Sequence, residues 1–371
     1  MSTFWNKKIM LDKLVAYPRM GDYDVPCYYL LSHILRARIL KSPPITSKTV
    51  ELGAKNSPDF VCTPFKYTLG TYIECLEKGA NILVQAGGGC RYGYYGELQE
   101  QILKDLGYDF TYINLVSMGR TDVKKIYGDL KKVDPSFKPM RALYYTFITS
   151  KMIKYMDKID FYIRENIGFE TYKGSFINCK KEMLHSFGKV HGYLDLFFKY
   201  HYFKRKVRKI EKRKVDQKLK VGLIGELYTL MEPVANYNME YELAKYGISI
   251  KRYTNVHYLV FEKARAVKKY LKSAKKYIKY RMGADAADNI ARTKYLCTHG
   301  YDGIIHIKSS FCTPEIGAMP IIGKIAREYD VPLLYFSFDT ASSEVGMKTR
   351  IEAFYDMIEM RRENEKRVSG N

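Results

Sequence analysis

Three of the seven cysteines in this 371-residue chain, Cys62, Cys90 and Cys312, each close an apolar run and stand where a helix is expected to open. The segments read Phe60-Val-Cys62-Thr-Pro-Phe, Gly87-Gly-Gly-Cys90-Arg-Tyr-Gly and Phe311-Cys312-Thr-Pro-Glu. Pro64 and Pro314 fit the start of a helix, because proline fixes φ and its missing N–H has no partner to lose there. A thiol at a helix start has its pKa lowered by the positive end of the helix, and thiolate is the form that binds iron or zinc. Zinc sites usually carry close cysteine pairs, and no two cysteines here are nearer than Cys62 and Cys75. Single thiolates from separate loops suit an iron–sulfur cluster at the mouth of a fold. Three ligands on a four-iron cubane leave one iron open to water, sulfide or a substrate oxygen. The competing reading is that small cysteines end these runs because they pack well.

Other residues could support this trio. Gly88 and Gly89, before Cys90, let backbone approach a cluster or a phosphate closely, though the run is neither G-x-G-x-x-G nor a Walker A sequence. Ser309 and Ser310 stand before Cys312, placed to donate hydrogen bonds to cluster sulfur. Glu226 ends an apolar strand and is a candidate acid/base or substrate partner, or else a carboxylate serving a helix start. Asp339, Ser342, Ser343 and Glu344 form a polar stretch after another strand, with Glu344 also readable as a first-turn residue. His306 alternates inside an apolar strand and reads as a core histidine, and His299 as a helix-end residue. Cys27, Cys75, Cys179 and Cys297 read as packing residues.

The elements that must position these groups alternate between strand and helix. Lys13–Tyr17, Ala80–Gln85 and Tyr108–Val116 read as strands, with helices at Tyr28–Arg38, Phe65–Lys78 and Glu97–Leu106. The same grammar restarts with strands at Leu219–Gly225, Ile248–Tyr253, Ile304–Ile307 and Pro332–Phe338, and helices near 238–246, 314–329 and 346–359. That pattern predicts an α/β fold of two Rossmann-like parallel-sheet domains with a helical segment between them. The expected division is an N-terminal α/β domain, 1–214, with a helical extension over about 140–214, and a C-terminal α/β domain, 215–371. In the extension, Leu184, Phe187, Val190, Tyr193, Leu194 and Phe197 are spaced for one buried face. Ligands in such folds bind at strand ends, so the cluster is expected at the domain interface.

The formal charge is +22. Part of it lies in Phe203–Asp216 and in Lys263–Arg281, and in the second run Val267, Leu271, Ala274 and Ile278 recur at helical spacing and predict an amphipathic helix with a solvated basic face. An acidic partner, a phosphate-bearing ligand such as coenzyme A, or AT-rich codon usage all account for the charge. No apolar run approaches a membrane span and the N-terminus lacks a signal-peptide pattern, so the expected compartment is the cytoplasm. An odd number of scattered cysteines fits that reducing setting.

Taken in order, these segments resemble the family of 2-hydroxyacyl-CoA dehydratase subunits, in its D-component and activator-associated branch, with relatives among the double-cubane cluster proteins. The resemblance is carried by Ser42-Pro-Pro, Phe60-Val-Cys62-Thr-Pro-Phe-Lys66, Gly88-Gly-Cys90-Arg91-Tyr-Gly93, Gly222-Leu-Ile-Gly-Glu226-Leu-Tyr228, His306-Ile-Lys-Ser-Ser-Phe-Cys312-Thr-Pro-Glu315 and Thr349-Arg-Ile-Glu-Ala-Phe354. It is weakest over 120–215. It implies Cys62, Cys90 and Cys312 as ligands of a [4Fe-4S] cluster, with Arg91, Glu226 and Glu315 as supporting residues around it. It also implies an ATP-dependent activator that carries its own cluster, an acyl-CoA substrate, and a homo- or heterodimer. In the dehydratases one injected electron turns the thioester into a ketyl radical and the hydroxyl leaves at the open iron, which makes the chain a lyase or reductase component of an anaerobe. An [8Fe-9S] double cubane is the alternative cofactor, although it needs six thiolates and only three occupy motif positions. The other functional readings are a non-catalytic electron relay or cluster-carrying scaffold of the same system, and a nucleic-acid-binding protein, for which no recognised module accompanies the charge.

Overall fold

A computed structural model describes residues 12–88, 90–116, 121–215, 217–280 and 282–369. By contact the chain divides into two compact units, Met1–Ile153 with Leu184–Leu196 as unit 1, and Lys154–Met183 with Phe197–Asn371 as unit 2. The helical stretch expected to belong wholly to the first domain is thereby shared. Polar contacts account for part of this, since Arg164 pairs with Glu240, and Lys251 with Glu165, inside unit 2.

Unit 1 carries β1 (Leu14–Ala16), β2 (Arg38–Ile39), β3 (Ile82–Ala86) and β4 (Thr111–Val116), all parallel, in the order β2-β1-β3-β4. Its helices include α1 (Asp24–Ile34), α2 (Ser47–Lys55), α3 (Thr63–Glu77), α4 (Tyr95–Asp105) and α5 (Val123–Val133). Alternation along β3 explains the layering. Ile82 and Val84 pack with Leu31, Ile34 and Leu130 on one face, while Leu83 packs with Phe65, Leu69, Tyr72 and Leu103 on the other. Helices α2 and α3 touch through backbone, because a Cβ on Gly53 would lie 1.8 Å from the Lys66 carbonyl oxygen and one on Gly70 would lie 1.9 Å from that of Thr49. That contact fixes α3 and hence Cys62 at its start. The short apolar run that Cys62 closes forms no strand: residues 56–62 are turn and loop, and Phe60 is 74% exposed. Two apolar residues after Ser-Pro-Asp are too few to bury a strand.

The long helix α6 (Pro139–Asn166) is followed by α7 (Ser175–Phe187) and α8 (Tyr193–Arg208). Phe187 and Val190 are buried as expected, but Leu194 and Phe197 are exposed, and Leu196, Tyr200, Phe203 and Val207 take the inner positions of α8. The break over Gly188–Gly192 resets the helical phase, which a periodicity run across it cannot register.

Unit 2 repeats the parallel design with β5 (Leu219–Gly225), β6 (Ile248–Arg252), β7 (Gly303–Ser309) and β8 (Leu333–Phe338) in the order β6-β5-β7-β8. After β5 come α9 (Leu227–Met231), α10 (Met239–Lys245), α11 (Lys263–Ser273), α12 (Ala286–Thr298), α13 (Thr313–Glu328) and α14 (Glu344–Ser369). Ile224 and Ile304 pack with Ile290, Ala291, Leu296, Ala318, Ile322 and Ile325 from α12 and α13. The basic helix α11 ends at Ser273 rather than running to Arg281, with Ala274 and Tyr277 buried in the turns that follow and Lys272, Lys275, Lys276 and Lys279 exposed. In each sheet the connections reverse direction at one place, between β1 and β3 and between β5 and β7. The carboxyl ends of the strands flanking such a reversal form the crevice where α/β folds bind ligands.

Candidate functional site

In unit 1 the end of β3 leads through Gly87 and Gly88 to Cys90, then a short 3-10 turn over Arg91–Tyr94 and helix α4. Gly87 is required by close approach, since a Cβ there would sit 2.2 Å from the Val116 carbonyl oxygen. Cys62 is the N-cap residue of α3, with Pro64 in the first turn. Because α3 precedes β3 and runs antiparallel to it, its start lies at the same sheet edge as the end of β3. The Cys62 thiol is hydrogen-bonded to the Tyr95 hydroxyl, and the Cys90 sulfur accepts from the Tyr92 N–H at 3.4 Å. Burial first, then Cys62 and Cys90, push the Tyr95 phenol far above its ordinary value. Both motif thiols of unit 1 therefore act on the same hydroxyl. Cys90 and Arg91 are exposed, Gly88 packs against Tyr92, and Gly89 lies outside the described residues.

In unit 2, Glu226 follows β5 and Cys312 follows β7, so the two flank the reversal point of the sheet. Cys312 is the N-cap residue of α13, its N–H donating to the Ser309 carbonyl at 3.0 Å. Glu315, in the first turn of α13, is buried at 1% exposure and fully engaged. The Asn289 amide donates to both its oxygens at 3.0 Å, and His306 Nε2 lies 2.7 Å from Oε2. Asn289 also holds Gly225, donating to its carbonyl at 3.0 Å and accepting from its N–H at 3.2 Å. One side chain thus ties the end of β5 to the helix that starts at Cys312.

Lys308, buried near the end of β7, donates to the Ser310 carbonyl at 3.2 Å. Burial lowers its ammonium, with Cys312 and Glu315 opposing. Ser309 is buried, and the Ser310 hydroxyl donates to Asp339 at 3.0 Å. Asp339 also accepts from the Ala341 N–H and the Ser342 hydroxyl, closing the polar loop on itself, while Glu344 begins α14 and pairs with Lys348.

Glu226 caps α9, accepting from the Tyr228 and Thr229 N–H groups at 2.7 and 3.0 Å and from the Thr229 hydroxyl at 2.5 Å. Burial raises its carboxyl from 4.5 to about 7, against those hydrogen bonds and with a further push from Asp285. A carboxyl raised on folding contributes stability that is complete below about 4.5 and is lost as pH rises through about 7. Glu226→Gln should therefore gain on the wild type as pH rises, with higher urea midpoints at pH 8 and little difference at pH 4. An offset that is the same at both pH values would show that Glu226 titrates normally.

His306 is a core histidine as expected, but one with a carboxylate partner. His299 caps its helix end, with Nδ1 2.8 Å from the Tyr295 carbonyl. Cys75 and Cys179 are buried, whereas Cys27 is exposed. Sequence reasoning missed Tyr95, Asn289 and Lys308. A lysine inside the apolar run of β7 was the visible signal for Lys308, whereas Asn289 sits in α12, a helix the periodicity did not reveal. Among the described residues no group of three His, Cys, Asp or Glu side chains is arranged to hold a metal ion. The donor chemistry nonetheless suits a cluster, since Cys62 and Cys312 cap helices and all three motif thiols stand where backbone N–H groups gather.

Two four-stranded parallel sheets with helices between their strands define an α/β protein of two Rossmann-like units. Residues 230–358 match the family 2-hydroxyglutaryl-CoA dehydratase, D-component, and this match supports the 2-hydroxyacyl-CoA dehydratase subunit family for the chain. The matched stretch contains Lys308, Ser309, Ser310, Cys312 and Glu315, while Cys62, Cys90, Arg91 and Glu226 precede it. No curated protein matches the chain. No helix among the described residues is long and apolar enough to cross a membrane.

Proposed function

We propose that this chain is a 2-hydroxyacyl-CoA dehydratase-like component that holds a [4Fe-4S] cluster through Cys62, Cys90 and Cys312 and receives low-potential electrons from an ATP-dependent activator. The observation that carries the reading is the placement of Cys312 at a helix N-cap beside the reversal point of the unit 2 sheet, within the stretch that matches the D-component family. When bound, such a cluster supplies one-electron chemistry and an iron with an open position. The chain's own residues supply the rest. Glu226, with its carboxyl raised to about 7, is poised to give or take a proton near neutral pH. Asn289 and Glu315 hold the Glu226 turn and the Cys312 helix in register. The acyl-CoA substrate class, a cytoplasmic location and a dimeric assembly belong to the same reading.

Purification without oxygen followed by iron and sulfide analysis tests it. About four of each per chain supports a single cubane, and about eight irons indicates the double cubane. Folded protein that takes up no iron after reconstitution overturns the reading. Adding an activator, ATP and 2-hydroxyacyl-CoA thioesters then separates catalysis from relay: turnover supports an enzyme component, and ATP-driven reduction without turnover supports an electron carrier.

A further inference from the structure

Lys308 is a buried cation, 4% exposed, whose hydrogen bonds go to the backbone carbonyls of Ser309 and Ser310 at 3.4 and 3.2 Å. The other buried cations described in unit 2 all meet carboxylates. Arg164 pairs with Glu240 at 2.9 Å, Arg252 with Glu240 at 3.2 Å and Arg292 with Asp288 at 3.3 Å. Among the described residues Lys308 has no such ion pair. Cys312 and then Glu315 are the acids that act on it, and both Glu315 oxygens are hydrogen-bonded to Asn289 and His306 rather than to Lys308. An ammonium withdrawn from water without a direct ion pair is costly, and the nearby N-terminus of the 16-residue helix α13 adds positive potential rather than relieving it. An anion bound at this strand end would meet both.

We propose that Lys308 is the counter-charge for the anionic iron–sulfur group bound through Cys312, so that its ammonium gains a direct ionic partner when that group is present. The inference rests on the cluster reading above and adds a role for a residue outside the ligand set. An electron added to the cluster makes it more negative, so a neighbouring ammonium favours the reduced form.

The test compares wild type, Lys308→Met and Lys308→Arg, each metal-free and reconstituted without oxygen. Metal-free Lys308→Met should melt about 2 °C or more above metal-free wild type, because a buried charge with no direct ion pair has been replaced by an apolar side chain of similar length. Reconstituted Lys308→Met should show a reduced-to-oxidised ratio about tenfold lower at a fixed applied potential, with Lys308→Arg close to wild type. Metal-free Lys308→Met melting below wild type overturns the proposal, as does an unchanged redox ratio. If wild type itself takes up no iron, the cluster reading fails and takes this proposal with it. Wild type that binds iron while Lys308→Met behaves identically overturns this proposal alone.

Discussion

Cys62→Ala, Cys90→Ala and Cys312→Ala will each purify without oxygen carrying less than about a tenth of the wild-type iron and sulfide, while Cys75→Ala keeps the full complement. The contrast follows from local chemistry. Cys62 and Cys312 cap helices, and the Cys90 sulfur already accepts a backbone N–H, so each stands where donors gather to stabilise a thiolate. Cys75 is buried inside α3, where desolvation pushes its thiol to about 12 and keeps it protonated. With three protein ligands there is no spare thiolate to replace one that is lost. Cys75→Ala should show its effect in stability instead, at about 1 kcal/mol for a small buried side chain. Iron and sulfide analysis with a parallel melt decides it. Iron retained in a motif variant, or lost in Cys75→Ala, would reassign the ligands.

Gly225→Ala will lower stability by more than about 3 kcal/mol and disturb Glu226 beside it. Gly225 has φ +142, a region that side chains rarely enter, and a Cβ there would lie 1.7 Å from the Ile307 carbonyl oxygen. The obstacle is backbone of the neighbouring strand, so no rotamer change relieves it. The residue is also clamped at its N–H and carbonyl by Asn289, and the Glu226 N–H donates to Ile307 at 2.8 Å. Moving Gly225 therefore breaks the end of β5, the Asn289 tie and the turn that holds Glu226. Gly107→Ala is the control: its φ is +85 but no atom lies within 4 Å of the added Cβ, so it should cost only about 1–2 kcal/mol. Urea midpoints for the two variants measure the difference. A Gly225→Ala protein with the wild-type midpoint would mean that the strand end yields, and that Glu226 is not held as described.

Both sheets were legible because their strands are apolar runs bounded by turn residues, and seven of the eight strands, all but the two-residue β2, were anticipated. Helices that begin with a strong signal were legible too, such as α3 and α13 with Cys-Thr-Pro at their starts. The helices α2, α5 and α12 were not read. In α2 the start is a capping box between Thr46 and Thr49, in which a second threonine stands where glutamate or glutamine would be the recognisable sign. The single buried face across α7 and α8 was misread because periodicity assumes an unbroken element, and the phase reset over Gly188–Gly192 breaks the assumption.

The sequence by itself determined the layer architecture and the motif positions of Cys62, Cys90 and Cys312, since both follow from local order along the chain. Tertiary structure alone decided which polar groups meet. Asn289 joins Gly225 and Glu315 across 64 and 26 residues, and Tyr95 meets the Cys62 thiol across 33. Such pairings depend on where the ends of separate strands and helices come together in space, and no spacing along one element records that. The same holds for the raised carboxyl of Glu226 and the buried ammonium of Lys308, because burial and the identity of neighbours set a group's electrostatics and both exist only once the sheet is folded.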